Sequence, residues 1–103
     1  MKESKLYQKF KDKIKEVDPD CFFYKIPDTS YLGGKKPFDG FLVMKGYPFA
    51  IEFKVDGKEA TDYQAYQLEK FKMAGGRSIV CHETDFDQVI CHIINIVNRK
   101  EVE

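Results

Sequence analysis

Residues 36–54 read KPFDGFLVMKGYPFAIEFK. Two apolar runs, 38–44 and 47–55, flank Lys45-Gly46, a two-residue turn signal, and together predict an antiparallel hairpin. Side chains alternate along a strand, so Glu52 and Lys54 point one way while Ile51, Phe53 and Val55 point the other. A solvent-facing strand with a same-face ion pair worth about 0.5 kcal/mol is the ordinary explanation. Asp39 adds a further acid, because counting outward from the turn pairs it with a residue near Glu52. Carboxylates side by side on neighbouring strands repel unless a cation lies between them. A hard divalent metal, bound by carboxylate oxygens, a backbone carbonyl and water, is the natural occupant, with Lys54 beside it.

Working outward from the hairpin, residues 3–17 place Leu6, Phe10, Ile14 and Val17 at helical spacing, and Pro19 ends that helix. Residues 21–26 (CFFYKI) form a short β-prone run, and 27–36 (PDTSYLGGKK) read as a loop. Beyond the Asp56-Gly57 turn, a helix is expected over 61–74. Thr61 and Gln64 give it a capping-box pattern, and Gly75-Gly76 stand where its C-cap would fall. Residues 77–82 (RSIVCH) suggest a buried strand. Thr84 or Asp85 then caps a third helix with Phe86, Val89, Ile90, Ile93 and Val97 as its apolar stripe. The order α-β-β-β-α-β-α implies an α/β (α+β) domain spanning 1–103, a mixed sheet flanked by helices.

The chain has 103 residues, 43% hydrophobic and 33% charged, which suits one soluble domain with one core. The N-terminal stretch is charged and has no apolar run long enough for a leader or a span, so a cytoplasmic protein is expected. Cys21, Cys81 and Cys91 are odd in number and lack a CxxC, which suggests reduced, buried thiols rather than a disulfide framework. The 17 basic and 17 acidic residues cancel, so any polyanion-binding surface must be local. Candidates are Lys2, Lys5, Lys9 and Lys13 on one face of the first helix, and the loop pair Lys35 and Lys36, although a solvated face of alternating charge is the more ordinary reading of these lysines.

A carboxylate-held Mg²⁺ or Mn²⁺ with an adjacent lysine suits phosphodiester hydrolysis, which needs a nucleophilic hydroxide and stabilised charge on the phosphate. At these residues the chain resembles the PD-(D/E)xK nucleases: PFD at 37–39, then EFK at 52–54, set within α-β-β-β-α-β. It is most similar to the small VRR-NUC and Holliday-junction-resolvase-like enzymes of bacteria and phages. Phe38 separates Pro37 from Asp39, a departure from the family's adjacent Pro-Asp. The resemblance implies a restriction-endonuclease-like core with an extra C-terminal helix. It makes Asp39 and Glu52 metal ligands, the Phe53 carbonyl a further ligand, and Lys54 the catalytic lysine. It also suggests Glu3 as a helix-one ligand, or else an acid placed by the helix dipole, and Gln64 as catalytic support, or else only a cap.

A DNA substrate, branched or structured, and a homodimer follow from the same resemblance, with Lys5, Lys9, Lys35 and Lys36 as candidate DNA contacts. The alternative is a nuclease-like module that binds DNA or a protein partner without turnover. Cys81-His82 and Cys91-His92 have poor spacing for one zinc ion, and Gly33-Gly34 with Lys35-Lys36 is too short for a Walker loop. Tyr24, Tyr31, Tyr47, Tyr63 and Tyr66 could stack on unpaired bases, pack in the core or form an interface.

Overall fold

Among the described residues seven elements follow one another in the expected order: α1 (Glu3–Val17), β1 (Phe22–Lys25), β2 (Gly40–Met44), β3 (Tyr47–Phe53), α2 (Asp62–Met73), β4 (Arg77–Cys81) and α3 (Phe86–Asn98). They come from a computed structural model that describes residues 2–28 and 33–99, so Tyr31 lies outside the described residues. In α1 the recurrence of Leu6, Phe10 and Ile14 makes one buried stripe and turns most of the lysines outward. The helix stops at Asp18, whose carboxylate accepts the Asp20 N–H (3.0 Å) as the chain passes Pro19. Lys45 and Gly46 both take positive φ, 53° and 86°, the pair of left-handed conformations that matches the twist of a tight hairpin.

The α2 capping box is complete: the Gln64 N–H donates to the Thr61 hydroxyl (3.2 Å), and the Thr61 N–H donates to Gln64 Oε1 (2.9 Å). The start of α3 differs from expectation. Asp85 holds the cap position, but its carboxylate accepts the His82 N–H (2.8 Å), and the Thr84 hydroxyl bonds Asp56 (3.3 Å). Both side chains meet nearby loop groups instead of the helix end, and the Thr84–Asp56 bond ties together the loops that follow β3 and β4.

The four-stranded sheet has the order β1-β2-β3-β4; the first three strands are antiparallel, and β4 is parallel to β3 through the α2 crossover. α1 and α3 cover one face around Phe49, Ile51 and Phe53, while α2 covers the other over a smaller cluster of Phe38, Ala50 and Leu68. β3 is therefore an inner strand with helices on both sides. The hairpin strands are shorter than the apolar runs: β2 begins at Gly40 and β3 ends at Phe53, which leaves Asp39 and Lys54 just beyond the ladder. Cys21 and Cys81 are buried, but Cys91 is exposed because it lies off the apolar stripe of α3. No described helix is long and apolar enough to cross a membrane.

Candidate metal centre at the rim of the hairpin

Gly40 pairs with Ile51 across the hairpin, and one further step outward sets Asp39 opposite Glu52. The Asp39 backbone is held on both sides: its N–H donates to the Ile51 carbonyl (3.1 Å), and its carbonyl accepts the Ile26 N–H (2.9 Å). Asp39 Oδ2 accepts the Phe53 N–H (2.9 Å), and Oδ1 lies 2.8 Å from Lys36 Nζ. Phe38 is buried against Phe71 and anchors the chain just before Asp39, so the residue between Pro37 and the acid does not keep Asp39 from the strand end. A Cβ at position 40 would stand 2.9 Å from Phe23 Cε1, so any larger residue there pushes that ring aside.

The Lys54 N–H donates to Cys81 on β4 (3.0 Å). Backbone groups alternate sides along a strand, so the Phe53 N–H and carbonyl are turned toward β2 and Asp39.

Glu52 is 2% exposed, which removes the solvent-facing explanation of its charge, and its Oε1 has no hydrogen-bond partner. Lys54 Nζ is 3.7 Å from Glu52 Oε2, an ion pair too long for a good hydrogen bond. Burial, and then the charge of Asp39 and a hydrogen bond with it, push the Glu52 carboxyl up to about 8, against the pull of Lys54 and Lys36. For Lys36, burial opposes its charge, but the hydrogen bond and attraction to Asp39, aided by Glu52 and Asp28, win and hold the ammonium above its usual range.

Two spaces open beside these residues. A cavity of about 120 Å³ is lined by Glu3, Lys25, Lys36, Asp39 and Phe53 among others. A groove of about 340 Å³ is lined by Lys35, Lys36, Thr61, Tyr63 and Gln64 together with Asp28. Glu52 lines neither.

The donors fit a hard divalent cation in chemistry: two carboxylates, a backbone carbonyl turned to the same side, and a buried carboxylate oxygen without a partner. Among the described residues no three Asp, Glu, His or Cys side chains come together for a metal. Glu3 thus borders the Asp39 cavity without joining the carboxylate pair. Gln64 borders the groove with its Oε1 committed to the cap.

Lys35 and Lys36 border the site, and the helix lysines do not. Lys9 places its ammonium 4.3 Å from the Phe86 ring on α3, and Lys13 pairs with Glu16. Lys5 is exposed on α1 and lines neither space. His82 is used structurally, its Nε2 2.6 Å from the Lys58 carbonyl and its Nδ1 3.4 Å from Asp85, while burial pushes the Cys81 thiol up to about 12.

The sequence reading missed the ion pair between Lys36 and Asp39. Its only trace in the chain is a lysine three residues before the acid, which looks the same as any loop lysine. It also missed Phe22, exposed on edge strand β1 with its ring stacked on that of Tyr24, one of the tyrosines singled out in the sequence, at 6.4 Å and 14°. No protein-family model, curated protein or solved structure matches this chain.

Proposed function

We propose that this protein is a divalent-metal-dependent endodeoxyribonuclease of PD-(D/E)xK type, acting on branched or structured DNA. The observation that carries the reading is the buried pairing of Asp39 with Glu52 beside Lys54. Two acids packed together at the edge of a small core cost stability, and burial that perturbs a carboxyl in this way is characteristic of functional sites.

Asp39, Glu52 and the Phe53 carbonyl are the groups that would hold Mg²⁺ or Mn²⁺. Such an ion, when bound, would make its water more acidic and would neutralise charge on the phosphate. Lys54 orients the attacking water and offsets the charge that builds on the phosphate oxygens. Lys35 and Lys36 hold the DNA backbone along the groove, with the Gln64 amide nitrogen as a further donor. Zero formal net charge favours weak general affinity for duplex and leaves selection to the shape of the substrate.

A homodimer is supported by Phe22 and Tyr24, 56% and 51% exposed on the open edge of the sheet. Three free thiols suit a reducing cytoplasm.

The test incubates four-way junction, flap, single-stranded and linear duplex DNA with the protein in Mg²⁺, Mn²⁺ or EDTA, alongside Lys54→Ala and Asp39→Ala. Metal-dependent cleavage lost in both variants is expected. Undiminished cleavage by Lys54→Ala removes the proposed site, and binding without cleavage under every condition favours a non-catalytic module.

A further inference from the structure

Lys36 belongs to both spaces beside the carboxylates, lining the cavity with Asp39 and the groove with Lys35 and Tyr63. Its Nζ is 2.8 Å from Asp39 Oδ1, a tighter pairing than the 3.7 Å between Lys54 and Glu52. Asp39 Oδ2 accepts the Phe53 N–H, and Lys36 sits on the other oxygen, Oδ1. A divalent cation at Asp39 has to meet this ammonium, and two cations on one carboxylate oxygen repel.

The lysine has a way out, since its side chain is 25% exposed, its stem is flexible, and the groove with Lys35 adjoins it.

We propose that Lys36 is a two-position cation. It neutralises Asp39 in the metal-free protein, and when a divalent cation binds Asp39 it swings its ammonium into the groove beside Lys35 to take a substrate phosphate. This rests on the nuclease reading of the same site. It makes metal and polyanion binding mutually reinforcing: metal frees a cation for the phosphate, and by linkage the phosphate, in holding that cation, favours the metal. Removal of Lys36 therefore has opposite effects on the two ligands.

The test measures Mn²⁺ binding to the full chain by loss of the free-ion paramagnetic resonance signal. It also measures binding of a fluorescent, cleavage-resistant phosphorothioate four-way junction with and without Ca²⁺. Lys36→Met is expected to bind Mn²⁺ about fivefold more tightly or better, and its junction affinity should gain less from Ca²⁺ than that of the wild type. Lys36→Arg restores wild-type behaviour, and Lys35→Met weakens junction binding without changing Mn²⁺ affinity.

Unchanged or weaker Mn²⁺ binding by a folded Lys36→Met overturns the proposal. If that variant does not fold, the wild-type ammonium resonance decides: Lys36 should move on adding Mg²⁺ while exposed Lys11 does not, and a stationary Lys36 overturns it. Wild-type protein that binds no Mn²⁺ and cleaves no DNA removes the nuclease reading together with this proposal. Wild-type protein that binds Mn²⁺ while Lys36→Met binds it no better removes this proposal alone.

Discussion

Glu52→Gln isolates what the buried carboxylate costs the metal-free fold. Glu52 has an unpartnered oxygen and a carboxyl raised from 4.5 to about 8, chiefly by burial and then by Asp39. In the unfolded chain it titrates as an ordinary glutamate. Between 4.5 and about 8, therefore, the folded protein keeps a proton that the unfolded chain has released. Stability is full below the unfolded value and falls as the pH rises toward the folded one.

At pH 7 the loss has accumulated over about 2.5 pH units, or ~3 kcal/mol at ~1.36 kcal/mol per unit. Glutamine keeps the shape without the charge, but its buried amide lacks some partners, at a cost of ~1 kcal/mol. The net gain is ~2 kcal/mol at pH 7, a rise in Tm of roughly 8–16 °C for a domain of this size. Below pH 4.5 the variant should be slightly the less stable. Thermal unfolding by circular dichroism in EDTA, from pH 4 to 8.5, reads this directly. A Tm difference that does not change with pH would refute the reasoning. Added Mg²⁺ should narrow the difference by stabilising the wild type alone.

Thr61→Ala removes the hydroxyl that accepts the Gln64 N–H, leaving the backbone N–H of residue 61 on Gln64 Oε1, and should cost ~1 kcal/mol, or about 4–8 °C in Tm, with Mn²⁺ affinity unchanged. Gly40→Ala drives a Cβ to 2.9 Å from Phe23 Cε1 and should cost ~1–3 kcal/mol. Because Gly40 adjoins Asp39, calorimetry should also find Mn²⁺ binding weakened. Phe22→Ser with Tyr24→Ser should shift the protein from dimer to monomer in sedimentation velocity with little change in intrinsic stability, since both rings are exposed in the single chain. An unchanged sedimentation coefficient would exclude β1 as the dimer surface.

The helices and the hairpin were legible because their signals are local. Leu6, Phe10 and Ile14 recur at the helical period, Thr61 and Gln64 cap at fixed spacing, and Lys45-Gly46 sets a turn from which the Asp39 and Glu52 register can be counted. Those features depend on neighbours in the chain and survive any arrangement of the remaining elements.

Tertiary structure alone decided how the charges are used. That Glu52 is buried depends on β4 and α2 closing over β3, elements that follow it in the chain. Lys36 and Lys9 look alike in sequence. One is drawn to Asp39 by a carboxylate at the rim of the sheet, the other to the Phe86 ring by the packing of α1 near α3. A charge alternating along a strand says which face it occupies, but whether that face meets water or a second acid is fixed by what packs against it, because desolvation is a property of the assembled layers.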